Sequence, residues 1–316
     1  MGKIAVVGSG LIGQGWATVF AQAGFEVAIY DKSPDAADNA LKSMQTRISD
    51  LVEFKLIRPA DAPLMLSRMS VANSLEEALD GAIYVQENGP EHVDFKREIT
   101  ESLDAIAAKE VPIASSTSGI AASRYCEGIV GRHRCLVVHP INPPHLIPAV
   151  EIVPTAWTEP DIVAKVKKLM VQCKRETIVL NEEIDGFVVN RLQGALLQEA
   201  FKLIGHGIVS AEDLDKAICD GLGLRWSFMG PMQTIHLNAP SGVAQYVERY
   251  GEMYRNFGVG PHDAVDWAAV VDDKLRAELE QSTPVANIPR AQIARDKKLM
   301  GLLRHKAQIQ AETKTA

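Results

Sequence analysis

His139 closes the apolar run Leu136-Val137-Val138 and opens a loop bearing Pro140, Pro143, Pro144 and Pro148. The chain then continues as Val150-Glu151-Ile152-Val153. Histidine titrates close to working pH, at ~6.5 when unperturbed, which suits a general base that takes a proton from a hydroxyl. The prolines stiffen the loop and hold a strand-end side chain in a fixed direction. Glu151 interrupts an apolar run, where a charge is costly unless paired, and His139 is its natural partner across the turn. In such a pair the carboxylate fixes the imidazole tautomer and stabilises the imidazolium. The alternative is a strand-edge glutamate facing water and a histidine satisfied by backbone. His145, in mid-loop between prolines, is a second candidate base. His133, His206, His262 and His305 lie in charged or polar stretches and read as solvated.

A second group of residues has the types and order that hold a dinucleotide. Gly8-Ser9-Gly10-Leu11-Ile12-Gly13 follows an apolar strand pattern and precedes a helical one. Asp31 ends the next strand pattern about 20 residues on. Gly8 makes the tight turn, Gly10 lets a pyrophosphate approach the backbone, and Gly13 permits close helix–strand packing. The helix start offers N–H groups and partial positive charge to the phosphates. Asp31 would accept from the adenosine ribose hydroxyls and repel a 2′-phosphate, favouring NAD over NADP. Lys32 beside it tempers that preference. A nicotinamide enzyme acting on an alcohol needs a base of the His139 kind.

Two polar segments could complete a site. Ser115-Ser116-Thr117-Ser118-Gly119 follows a strand, at the carboxyl edge where open α/β sheets bind ligands. One of its hydroxyls could instead cap a helix. Asp185-Gly186-Phe187-Val188-Val189-Asn190-Arg191 opens the second half, and Asn190 on an apolar face needs a hydrogen-bond partner if buried.

The elements that must position these residues follow from periodicity. Strand patterns run at Lys3-Gly8, Glu26-Asp31, Met69-Ala72, Ile83-Glu87, Val111-Ser115, Leu136-His139, Val150-Val153 and Thr177-Leu180, with helical patterns at about 11–24, 34–56, 92–109 and 160–173. This alternation predicts an α/β fold, a Rossmann-type doubly wound sheet over 1–184. A helical hairpin is inserted at about 33–68, with Pro59 and Pro63 near its turn. After a boundary near Glu183-Gly186, an all-helical domain is expected over 185–316. Its helices lie at about 186–205, 211–220 with Ser210 as N-cap, 241–256, 263–281 and 289–311.

Composition narrows the function classes. The 316 residues suit about two domains at ~150 each. Lys and Arg total 33 against 40 acids, a net charge of −7, so a nucleic-acid partner is not expected. No apolar run reaches the ~20 residues of a membrane span. Met1-Gly2 leads straight into an apolar strand pattern, so no signal peptide is expected. Cys126, Cys135, Cys173 and Cys219 show no metal-ligand spacing, and reduced thiols in a cytoplasmic protein without a metal are the expectation.

Taken together, GSGLIG, SSTSG, VVHPINPP, PAVEIVP, DGFVVNRL and GLGLRWSFMGP (221–231) resemble the 3-hydroxyacyl-CoA dehydrogenase family nearly end to end. The resemblance implies a catalytic His139–Glu151 pair, with Ser118 and Asn190 bonded to the reacting substrate oxygen. It implies NAD contacts from Leu11, Ile12, Asp31, Glu91 and Lys96, and a homodimer formed through the helical domain. The reaction implied is NAD-dependent oxidation of the 3-hydroxyl of a small-molecule hydroxy acid. Arg225 departs from the acyl-CoA members, which usually carry uncharged residues there. Arginine grips a carboxylate bidentately, so Arg225 points to a free acid such as L-gulonate. An interface or domain-linking ion pair is the other account of it. L-carnitine is a further candidate, since Trp226 could meet its quaternary amine by cation–π contact. Two non-enzyme roles stay open: a crystallin-like structural protein that retains its NAD site, and a cofactor-dependent sensor.

Overall fold

The apolar runs of the first half assemble, in a computed structural model, into one eight-stranded sheet. The structure describes residues 2–53, 56–205, 208–227 and 229–257, with 280, 281, 283–288, 290, 291, 294 and 305. The strands are β1 Lys3–Val7, β2 Glu26–Tyr30, β3 Met69–Val71, β4 Ala82–Glu87, β5 Ile113–Ser115, β6 Cys135–Pro140, β7 Ala149–Pro154 and β8 Glu176–Val179. Their order is β3-β2-β1-β4-β5-β6-β7-β8. Neighbours run parallel except β6 and β7, which are antiparallel. All eight expected strands are present.

Along β1, Ile4 and Val6 join one apolar cluster while Ala5 and Val7 join another. The sheet is thus covered on both faces, which explains why its strands read as unbroken apolar runs. Covering it are α1 Leu11–Gln22, α2 Pro34–Glu53, α3 Asp61–Ser67, α4 Leu75–Leu79, α5 Val93–Ile106, α6 Ser123–Cys126 and α7 Pro160–Gln172. Helices α2 and α3 form the expected insertion between β2 and β3. Pro63 sits inside α3 rather than at the turn, in the first turn where its missing N–H is harmless. The short helices α4 and α6 carry too few residues to show a period, and Ser74 caps α4 by accepting from the Glu77 amide.

The chain divides into two compact units, 1–197 and 198–316. The division falls inside α8 Val189–Gly205, beyond the change of pattern near Glu183-Gly186. The reason is local: the first turn of α8 is hydrogen-bonded to Glu151 and to Ser118. In the second unit Ser210 caps α9 Ala211–Lys216, accepting from Asp213 N at 3.1 Å. The helix expected to end at Asp220 instead widens into a π-helical stretch, Ala217–Leu222, and runs on as α10 Gly223–Trp226. Then come α11 Pro231–Leu237, which periodicity did not show, and α12 Val243–Arg255. Buried His236 of α11 donates from Nε2 to Thr283 O at 2.7 Å and accepts from Val243 N at 3.2 Å. The helices expected over 263–281 and 289–311 lie outside the described residues, apart from isolated positions, as do His206 and His262. Among the described residues no helix is long and apolar enough to cross a membrane.

Arg134 closes the carboxyl end of α5. Its guanidinium is buried, bonds the Asp104 carboxylate at 2.7 Å and donates to the carbonyls of Ala107, Ala108 and Val111. Removing one partner of such a pair strands the other. Arg134→Met is expected to cost about 3–5 kcal/mol of unfolding free energy, measured by urea denaturation. A loss below about 1 kcal/mol would show that solvent replaces these bonds.

Candidate active site

His139 and Glu151 are directly opposite in the antiparallel β6–β7 pair. Residues so placed project to the same face of the sheet, a few ångströms apart. His139 Nδ1 donates to Glu151 Oε2 at 2.7 Å. The other carboxylate oxygen, Oε1, accepts from the amides of Val188 at 2.7 Å and Val189 at 2.9 Å. These N–H groups belong to the start of α8, so the helix end finds its acceptor in a buried charge. Burial alone would push the Glu151 carboxyl up. The bond from His139 and the amides of Val189 and Val188 outweigh it, and the group lies below its ordinary value. An ionised carboxylate only accepts, which makes Nδ1 the protonated nitrogen and leaves Nε2 as the basic one. Buried Phe187 packs on the imidazole, ring centroids 5.7 Å apart. Gly186 (φ 76°) and Phe187 (φ 51°) both lie in the left-handed region, turning the chain so that the next two amides face Glu151.

Ser118 stands beyond the end of β5, on a turn held by Glu91. One oxygen of that carboxylate, Oε1, accepts from Thr117 Oγ1, from Ser118 N at 3.0 Å and from Gly119 N at 3.2 Å. Asn190, on the first turn of α8, donates from Nδ2 to Ser118 O at 2.7 Å. None of these hydroxyls caps a helix: Thr117 Oγ1 accepts from Ile120 N at 2.9 Å within a turn, and α6 starts only at Ser123, without a side-chain cap. His139, Ser118, Asn190, Glu91 and Ile12 all line one cleft of about 380 Å³, together with Asn88, Ser116, Asn142 and Gln193. A base, a hydroxyl and a carboxamide around one cavity can hold an alcohol and remove its proton.

Comparisons with known proteins place the chain in a family. Residues 3–184 match the model of the 3-hydroxyacyl-CoA dehydrogenase NAD binding domain, and 186–269 match that family's C-terminal domain. The chain belongs to the 3-hydroxyacyl-CoA dehydrogenase family. It is 40% identical over 265 residues to lambda-crystallin of Oryctolagus cuniculus, covering 82% of this chain and 83% of that one. It is 36% identical over 250 residues to an L-carnitine dehydrogenase of Streptomyces coelicolor, covering 79% and 77%. A crystal structure of the Archaeoglobus fulgidus 3-hydroxyacyl-CoA dehydrogenase superposes with a TM-score of 0.74 at 27% identity, over 97% of this chain and 99% of that one. As a member of this family the protein is an NAD-dependent oxidoreductase.

The glycine turn of this dehydrogenase fits the cofactor. A side chain on Gly8 (φ 93°) would meet the Asn88 backbone at 2.9 Å, and one on Gly13 would collide with Gly8 O. At Gly10 a Cβ would meet nothing within 4 Å, so its lack of a side chain serves space outside the protein. Gly10 also gives α1 no side-chain cap, leaving the first amides of that helix available. Asp31 Oδ2 accepts from Ser9 N at 2.8 Å and Ser9 Oγ at 2.7 Å, and Oδ1 from Ser33 N at 3.1 Å. Burial raises its pKa, but these bonds outweigh that and hold it low. An ionised carboxylate has about four acceptor sites, so capacity remains for about one ribose hydroxyl. Leu11 is exposed at the head of the helix.

Two candidates stand differently from expectation. Lys96 is buried, and its ammonium is spent on both oxygens of Glu87, at 2.9 and 2.8 Å, and on Gly89 O at 3.1 Å. All three donors are used, so Lys96 braces the β4–α5 loop rather than presenting a charge to the cleft. His145 does not line the cleft. Burial, then the charges of Arg47 and Arg175, lower it to about 4, too weak a base for neutral pH. Arg225 is carried by the second unit, in α10, where its charge acts on Tyr246. Sequence reasoning missed a polar set in the cleft wall. Ser116 Oγ accepts from Trp16 Nε1 at 3.0 Å and Gln86 Nε2 at 2.7 Å, and donates to Asn88 Oδ1 at 2.7 Å. The signal was Gln86-Glu87-Asn88, three polar residues at the end of a buried strand.

Because the Glu151 pKa is lower folded than unfolded, its contribution to stability is full above about 4.5 and is lost as pH falls through the folded value. Glu151→Gln is therefore expected to be less stable than wild type at pH 7 by about 1.5–3 kcal/mol. The gap should close as denaturation is repeated below pH 4.5. A gap constant down to pH 3 would contradict an ionised Glu151.

Proposed function

We propose that the protein oxidises the 3-hydroxyl of a small hydroxy acid, L-gulonate, to the 3-keto acid. The observation that carries the chemistry is the Nδ1–Glu151 bond, which leaves His139 Nε2 basic at the cleft. In the reaction the substrate O–H bond breaks and its proton passes to Nε2. NAD would supply the acceptor for the hydride that leaves the carbon bearing this oxygen as its C=O bond forms. Glu151 keeps Nδ1 protonated and stabilises the imidazolium once Nε2 is charged. Ser118 and Asn190 hold the oxygen on which charge develops. The amides at the start of α1 would hold the cofactor's pyrophosphate and Asp31 its ribose.

The choice of L-gulonate rests on the resemblance of GLGLRWSFMGP and the rest of the chain to lambda-crystallin, the L-gulonate 3-dehydrogenase branch of the family. Arg225 suits that choice, as the residue that would grip a free carboxylate bidentately. L-carnitine is the second reading, favoured by Trp226, which follows Arg225 and is partly exposed. We also propose a homodimer in which the exposed Leu192, Leu196 and Leu197 of α8 face a second copy. Light scattering should then give the mass of two chains, and a monomer would refute it.

His139→Gln should leave NADH affinity nearly intact and lower turnover by roughly 10²–10⁴-fold, the contribution of a positioned base. Near-normal turnover would remove His139 from the role. NADH formation with L-gulonate, L-carnitine and 3-hydroxybutyryl-CoA decides the substrate. L-gulonate should give the highest kcat/KM, and Arg225→Ala should raise KM for the free acids far more than for the CoA ester. A wild-type preference for the CoA ester would overturn the assignment. Tight NADH binding without turnover on any of them would indicate the structural or sensor role.

A further inference from the structure

Ser116 lines the cleft, yet its hydroxyl has nothing to give a ligand. Trp16 Nε1 donates to it at 3.0 Å and Gln86 Nε2 at 2.7 Å, which fills both lone pairs. Its single hydrogen therefore goes to Asn88 Oδ1, at 2.7 Å. That choice fixes which way round the Asn88 carboxamide stands, with Nδ2 donating to Gln86 O at 2.9 Å and Val7 O at 3.3 Å. The series takes its direction from Trp16, since an indole N–H can only donate. Trp16 is itself buried and stacked on Phe20, ring centroids 5.2 Å apart. Asn88 also gives its backbone N–H to Val7 O at 2.7 Å, so it ties the end of β4 to the end of β1. The sheet extends from β1 through β2 on one side and from β4 on the other. The crevice at such a reversal of strand order is where open α/β sheets take their ligands.

We propose that Trp16 and Ser116 are positioning residues for the nicotinamide half of NAD, acting by holding Asn88 in one orientation at the crevice between β1 and β4. This rests on the dehydrogenase reading for its purpose, but on no choice of substrate. The nicotinamide must come to the cleft that holds His139, and Asn88 and Ser116 line that cleft, whereas Asp31, placed for the adenosine ribose, does not. Asn88 has both N–H groups committed to carbonyls at the strand ends. What it offers the cofactor is therefore a fixed surface rather than a spare donor. Without the Ser116 hydroxyl, Asn88 Oδ1 loses its donor and the carboxamide is free to turn. Binding must then order it, which costs about two- to tenfold in affinity for one immobilised side chain. Trp16 contributes at one remove: its N–H occupies a lone pair of Ser116 and so keeps the hydroxyl hydrogen aimed at Asn88.

The test titrates the full chain with NADH and with ADP-ribose, which carries the adenosine half of the cofactor without the nicotinamide ring. Ser116→Ala should weaken NADH about fivefold and change ADP-ribose by less than about twofold. Trp16→Phe keeps a ring beside Phe20, removes the N–H, and should weaken NADH by about two- to fivefold. Because Trp16 acts through Ser116, the double variant should bind NADH no more weakly than Ser116→Ala alone. In the wild-type protein the nitrogen-15 signal of the Trp16 indole should shift on adding NADH and stay in place on adding ADP-ribose. Should Ser116→Ala fail to fold, Trp16→Phe and the indole signal still decide the matter. Equal losses on NADH and ADP-ribose would show a merely structural brace and overturn the proposal. Unchanged NADH affinity in the variants, additive losses in the double variant, or an indole signal indifferent to NADH overturns it as well. A wild type that binds NADH but oxidises no hydroxy acid removes the dehydrogenase reading and leaves these affinities to decide the positioning role. A wild type that does not bind NADH overturns both.

Discussion

One buried carboxylate serves two masters in this protein. Glu151 gives one oxygen to His139 and the other to the first amides of α8. The charge that orients His139 is the same charge that docks the helix bearing Asn190. Neither half works without the other. A neutral Glu151 would release the imidazole tautomer and would also weaken its hold on two helix-end N–H groups. The antiparallel β6–β7 pair makes this possible, because it sets the two side chains opposite each other with no turn of geometry to spare.

Glu91 repeats the device on the other wall. It is a carboxylate gathering the amides of a tight turn, here the turn that presents Ser118. Asn190 then ties that turn to α8, so base, hydroxyl and carboxamide belong to one hydrogen-bonded chain running from Glu91 to His139. Beneath it, the Lys96–Glu87 pair and the Ser116–Asn88 contacts brace the loop after β4. The carboxyl edge of the sheet is crowded with polar groups, yet most are committed to one another. His139 Nε2 is among those left over at the cleft.

Much of this was legible in the residues. The strands were readable because burial on both faces makes them unbroken apolar runs, and the glycine turn because its steric demands admit no substitute at Gly8 or Gly13. The His139–Glu151 pair was legible because a lone acid in an apolar run demands a partner. What stayed hidden was three-dimensional. Nothing local in the sequence says that the amides of Val188 and Val189 will find Glu151, since that depends on two left-handed residues at Gly186 and Phe187. The resemblance makes Lys96 a cofactor contact, and nothing near it in sequence reveals the ion pair, because its partner, Glu87, lies on a different element and is itself buried. The short helices α4 and α6 escaped for want of length, and the widened turn at Ala217–Leu222 has no compositional mark.

Glu151 fixes His139 with its proton on Nδ1 and leaves Nε2 as the basic nitrogen. The most direct test is nitrogen-15 NMR of histidine-labelled protein at neutral pH, reading which imidazole nitrogen of His139 carries hydrogen. A single tautomer is expected, protonated at Nδ1 with a pyridine-like Nε2, that gives way to a mixture in Glu151→Gln. A His139 protonated at Nε2 in the wild-type protein, or a tautomer indifferent to Glu151, would contradict it.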